Sequence, residues 1–95
     1  MATATFNGTV IAESDDIEIV EGNAYFPISS IRRDVLVDSD LHTVCSWKGT
    51  ASYWSIEVGE NVAENAAWYY PEAKPGAESV VDRVAFYKNK VTIAD

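Results

Sequence analysis

The only cysteine of the chain, Cys45, lies three residues after the only histidine, His42, and three before Lys48. A thiol becomes a nucleophile or redox group when a nearby cation lowers its pKa, which makes Cys45, Lys48 and His42 the candidate catalytic residues. In a regular strand, residues three apart point to opposite faces, so a His42–Cys45 dyad requires a bulge or a turn. Free cysteine is also among the most buried residue types, and packing is its commoner role. Lys48, flanked by Trp47 and Gly49, could bind an anion, form a Schiff base or stack on a ring. It could equally lay its stem along Trp47 with its ammonium in water. These residue types do not decide between an enzyme and a binding module.

Around this stretch the rings are dense: Trp47, Trp54, Trp68, Tyr53, Tyr69, Tyr70 and Tyr87. Ligand pockets are mostly apolar with a few fixed polar groups. Trp54 and Phe86 are expected in the core, whereas Trp47, Lys48, Tyr53, Trp68 and Arg32 are the ligand-binding candidates. Arginine offers a bidentate grip on a carboxylate or phosphate, but Arg32 and Arg33 diverge on a helix and at most one reaches such a pocket. A surface pair is the simpler role for them. Metal and cofactor are not expected. A structural zinc needs four ligands, typically in Cys-x-x-Cys pairs, against one Cys and one His here. No spacing demands a carboxylate site at Asp38, Asp40 or Asp82. The Gly-x-x-x-x-Gly-Lys, Gly-x-Gly-x-x-Gly and Gly-x-Ser-x-Gly signatures are missing.

The elements that would position these residues are mainly β. Thr9 to Glu13 and Ile17 to Val20 are β-branched and flank Ser14-Asp15-Asp16, which predicts a hairpin, with a third strand at Ala24 to Phe26 after a Glu21-Gly22-Asn23 turn. Ile28, Ile31, Val35 and Leu36 fall at helical spacing and predict one short helix. Asp38-Ser39-Asp40 interrupts before an extended Leu41 to Ser46. Thr50 to Val58 alternates, with Trp54, Ile56 and Val58 on one face and Ala51, Tyr53, Ser55 and Glu57 on the other, which predicts a central strand. A further strand is expected at Ala66 to Tyr70 and a surface excursion over Glu72 to Ser79. Val84 to Lys88 and Val91 to Ile93 around Asn89-Lys90 predict a closing hairpin.

Ninety-five residues suit one domain, and 47% apolar residues fit a globular chain. Fifteen acidic against seven basic side chains give a net charge of -8, which disfavours nucleic acid and anionic membrane surfaces as partners. One cysteine cannot form an intramolecular disulfide, the first residues lack a basic and an apolar region, and no run approaches ~20 apolar residues. A cytoplasmic protein is the resulting expectation.

The chain resembles the bacterial family known as domain of unknown function 427 over nearly its whole length. The resemblance rests on Gly8 to Ser14, Val20 to Pro27, Ala67-Trp68-Tyr69-Tyr70-Pro71, Val84-Ala85-Phe86-Tyr87, and above all Cys45-Ser46-Trp47-Lys48-Gly49 with Tyr53-Trp54. Ser46 stands where members commonly carry proline. The resemblance implies a β-tent, two antiparallel sheets leaning together with one or two short helices, as in Yippee proteins, methionine sulfoxide reductase B and the thalidomide-binding domain of cereblon. Those relatives usually pin the sheets with zinc on paired cysteines; this chain lacks the pairs, so apolar packing is expected to hold the sheets without structural zinc. The nucleotidyltransferase label sometimes attached to the family finds no motif in the chain. The leading functional expectation is a small-molecule-binding domain with an aromatic pocket around Cys45 to Trp54. The alternatives are an enzyme using Cys45, and a protein-interaction module using edge strands and exposed Tyr25 and Tyr87.

Overall fold

A computed structural model describes residues 1–94 as nine strands in two antiparallel sheets. The small sheet has the order β2-β1-β9, from β1 (Ala2–Phe6), β2 (Thr9–Ser14) and β9 (Thr92–Ala94). The large sheet runs β3-β4-β8-β7-β6-β5. Its strands are β3 (Glu18–Val20), β4 (Asn23–Pro27), β5 (Leu36–Cys45), β6 (Gly49–Val58), β7 (Asn61–Tyr69) and β8 (Arg83–Phe86). No helix among these residues is long and apolar enough to cross a membrane.

Strand alternation gives the large sheet two buried faces. Neighbouring residues split between them: Phe26, Trp54, Ala67 and Phe86 lie in the core between the sheets, while Tyr25, Tyr53, Trp68 and Ala85 belong to a second apolar cluster. The first core also takes Ile11, Ile56, Val84 and Val91. Phe26 and Phe86 meet edge to face at 5.7 Å, and Trp54 stacks on Tyr69 at 4.1 Å while its Nε1 donates to Asp38 at 2.9 Å. Burying one such ring removes enough apolar surface to contribute about 1.5–3 kcal/mol.

The expected hairpin of Thr9 to Glu13 with Ile17 to Val20 does not form: β2 pairs with β1 and β3 with β4, in different sheets. The first pairing turns on Asn7-Gly8, both at positive φ (52° and 82°), the combination that a two-residue turn between twisted strands favours. Likewise β8 and β9 do not pair with each other. Both Lys90 N and Val91 N donate to Tyr87 O, at 3.0 and 2.9 Å, and the turn delivers β9 to β1 in the other sheet.

The expected helix over Ile28 to Leu36 is replaced by two single 3-10 turns, Ile28–Ser30 and Arg33–Val35. Nine residues rich in β-branched side chains make a marginal helix, and the segment has competing backbone partners. Arg32 N donates to Ile11 O at 2.8 Å and Ile31 bridges to Ala12, which places buried Ile31 and Val35 in the core between the sheets. The interruption at Asp38-Ser39-Asp40 is a register shift inside the continuous strand β5.

Candidate functional site

The second face of the large sheet is roofed by its own chain. The stretch 71–82 carries a 3-10 turn, Glu78–Val80, and it buries Ala77 and Val80 completely against Tyr25, Trp68 and Ala85. It is therefore a cover over the rings, not a free surface excursion. The anchor is the turn after β5. Gly49 has φ +119°, and a Cβ there would stand 2.9 Å from Glu72 O, so only glycine lets the two backbones approach while Lys74 N donates to Lys48 O at 3.0 Å.

That contact holds the Lys48 backbone and sends its side chain under the roof, where the residue is 5% exposed. The ammonium lies 5.3, 5.5 and 6.0 Å from the ring centres of Tyr70, Trp47 and Tyr25. It pairs with the Glu21 carboxylate and lies 3.5 Å from Tyr25 Oη. Tyr25 Oη in turn accepts from Trp68 Nε1 at 3.1 Å. Burial works against the lysine charge. The bond to Glu21, aided by Tyr25 and Tyr70, outweighs it, so the Lys48 pKa lies above its ordinary value. Lys48 also lowers the Glu21 pKa, chiefly by that bond, with the Trp47 side chain adding to the effect.

Tyr53 and Tyr87 form a polar seam. Tyr53 Oη meets Thr43 Oγ1 at 3.0 Å and Tyr87 Oη at 3.3 Å, and the Trp68 and Tyr87 rings lie 4.7 Å apart. Burial, with Tyr25 adding to it, pushes Tyr70 up to about 12; the bond to Tyr53, followed by burial, pushes Tyr87 up to about 12. Both phenols are therefore neutral donors at neutral pH and not bases.

The structure gathers Trp47, Lys48, Tyr53 and Trp68 on this face, with half-buried Cys45 packed against the cluster. It does not bring Arg32 there. Arg32 follows Ile31 on the side of the small sheet and pairs with Asp34 at 2.6 Å. His42 is likewise apart: β5 is regular from His42 to Cys45, so the imidazole and the thiol take opposite faces. On its own side His42 meets Ser52 Oγ at 3.3 Å and lines a groove of about 530 Å³ with Val44, Thr50 and Lys74. Tyr25, expected to be exposed, is wholly buried, whereas Tyr87 is 38% exposed. Among the described residues no three His, Cys, Asp or Glu side chains gather as metal ligands would.

Glu21 and Tyr70 are functional candidates that the local pattern does not single out. Glu21 reads as one scattered surface acid, and its partner is 27 residues away. Alternation through Ala24-Tyr25-Phe26 does place Tyr25 opposite Phe26, but it names neither face as the site.

A lysine ammonium fixed among rings and tyrosine hydroxyls can hold an anionic or hydrogen-bonding group, and surrounding apolar material strengthens that attraction. The same protonation state makes it a poor amine nucleophile, since a Schiff base forms from the neutral amine. No curated protein matches the sequence. The pattern that defines the family described as Domain of unknown function (DUF427) matches residues 1–95, the whole chain, and the chain belongs to that family.

Proposed function

We propose that the chain is a small-molecule-binding domain whose site is the Lys48 face of the large sheet, bordered by Trp47, Tyr87 and Glu21. One observation carries this reading: a lysine 5% exposed, ringed by three aromatic side chains. Burying an ammonium is costly, and a hydrophobic residue of similar volume in place of a buried ion pair is often neutral or stabilising. A charge kept there despite that alternative is more simply explained by recognition than by stability. The rim supports the same reading, because Trp47 is 42% exposed beside the buried lysine and offers a ring face to a ligand.

The enzyme reading with Cys45 as nucleophile has weaker support. His42 faces away from the thiol, and the Lys48 ammonium is engaged by Glu21.

The test is a titration of the protein with a chemically diverse metabolite set, followed by NMR. Signals of Trp47, Lys48, Trp68 and Tyr87 should move first. Shifts confined to the other side of the large sheet, at His42, Val44 or Ser52, would reject the assignment and move the site to the groove there.

A further inference from the structure

The Lys48–Glu21 pair is unequal. The lysine side chain is 6% exposed and the glutamate side chain 52%, so one partner is buried while the other faces solvent. Glu21 also occupies an unusual backbone position. With Gly22 it makes the two-residue turn between β3 and β4, where Val20 pairs with Asn23, at φ 55° and 80°. Among the described residues, the other non-glycine ones at positive φ are Asn7, Asn65 and Asp82, the types whose short polar side chains tolerate that conformation. Glutamate has no such advantage in the turn. What it has is reach, and the side chain spends it on Lys48.

We propose that the Lys48 ammonium is a carboxylate-binding site which Glu21 occupies in the free protein, and that the ligand is a small aromatic carboxylic acid that displaces Glu21. This rests on the ligand-binding reading above and specifies its chemistry. Displacement is a side-chain event: rotation takes the Glu21 carboxylate from the turn tip into water, while the ammonium stays where the roof holds it. A departing carboxylate leaves a buried cation without its counter-charge, and the best replacement is a group of the same charge and shape.

The rest of the site fits a single carboxylate joined to a ring. Trp47, 42% exposed, offers its face beside the ammonium, and Tyr70 lies buried next to it. A second cation stands at the rim, where Lys88 Nζ donates to Gly22 O at 2.9 Å. The arginines are committed elsewhere, Arg32 to Asp34, Arg83 to Asp16, and Arg33 over Trp54. A phosphate ester would thus meet one buried lysine without the guanidinium fork that suits it, on a chain of net charge -8.

The experiment compares benzoate, neutral benzamide and inorganic phosphate as probes, read by the indole N–H signals of Trp47 and Trp68. The proteins are the parent chain, Glu21→Gln and Lys48→Met, with thermal melting to show that each variant is folded. Benzoate should move these signals in the parent, bind about tenfold more tightly to Glu21→Gln, where the internal competitor is gone, and lose binding in Lys48→Met; tenfold corresponds to about 1.4 kcal/mol. Benzamide should bind more weakly than benzoate and ignore Glu21→Gln. Equal binding of benzoate and benzamide at Trp47 and Trp68, indifferent to Glu21→Gln, would overturn the carboxylate site while leaving the ligand-binding reading intact. Tighter binding of phosphate than benzoate would overturn the ligand class. A metabolite set that moves only the opposite face would remove both readings.

Discussion

Tyr25→Phe isolates the hydrogen bond at the centre of the second cluster. The ring stays and only the hydroxyl goes. In the parent that hydroxyl is the acceptor for Trp68 Nε1 at 3.1 Å and lies 3.5 Å from Lys48 Nζ. Tyr25 is wholly buried and Trp68 is buried against it, with the rings edge to face at 6.3 Å. Removing the acceptor strands an indole N–H with no water to replace it, which costs about 1–3 kcal/mol. Lys48 is less affected, because Glu21 still engages its ammonium. For a chain of this length each kcal/mol lowers Tm by roughly 4–8 °C, so a loss of about 2 kcal/mol predicts a fall of roughly 8–16 °C. Trp68→Phe removes the donor together with ring area. The double variant then has no stranded N–H, and its destabilisation should fall short of the sum of the two single losses by about 1 kcal/mol or more. Urea denaturation of the four proteins measures this directly. A Tyr25→Phe variant within about 0.5 kcal/mol of the parent, or strict additivity in the cycle, would refute the claim that this bond organises the cluster.

Gly49→Ala should destabilise by about 2 kcal/mol or more, from the positive φ and the backbone oxygen of Glu72 that the new methyl would meet. Gly8→Ala, also at positive φ but with nothing near its Cβ, should lose less in the same denaturation assay. Ultraviolet titration of the phenols should show two of them ionising near pH 12. Their folded pKa values are raised, so the stability they add is present below their unfolded value near 10. It is lost as pH rises from there through the folded value, and Tyr70→Phe should narrow that alkaline loss. The Glu21 pKa is lowered from 4.5, so the stabilisation by its pairing with Lys48 holds above that value and disappears as pH falls through the folded pKa. The stability difference between the parent and Glu21→Gln should accordingly vanish in acid. Alkylation of native Cys45 should proceed at the same rate in His42→Ala, since the imidazole is on the other face; a severalfold slower reaction would restore the dyad.

The large sheet was legible where alternation is clean. Thr50 to Val58 separates Trp54 and Ile56 from Ala51 and Tyr53 as the structure does, because a half-buried strand writes its two faces into every second residue. Pairing partners were less legible. Ser14-Asp15-Asp16 does turn the chain, with Asp16 N bonded to Ser14 Oγ at 2.9 Å, but a turn does not state whether the next strand stays in the same sheet. The stronger local signal was Asn7-Gly8. Helical spacing over Ile28 to Leu36 misled because Ile31 bridges to the small sheet and Val35 is buried in the core between the sheets, and four apolar positions fit more than one backbone. At the candidate site, Trp47 and Lys48 come together as neighbours in the sequence. That adjacency could not give Glu21, since an ion pair across 27 residues leaves no trace in local spacing.

The small sheet is closed by β9, whose residues Thr92 to Ala94 pair with Thr3 to Thr5 at the start of the chain. During synthesis β1 and β2 emerge before β9, and they can pair through Asn7-Gly8 at once. Yet one edge of β1 must wait for almost ninety further residues before its partner emerges. A three-residue strand thus completes the small sheet. Until it arrives, the nascent protein exposes an unpaired strand edge beside an incomplete core, the state in which a chain is most open to pairing with a neighbour.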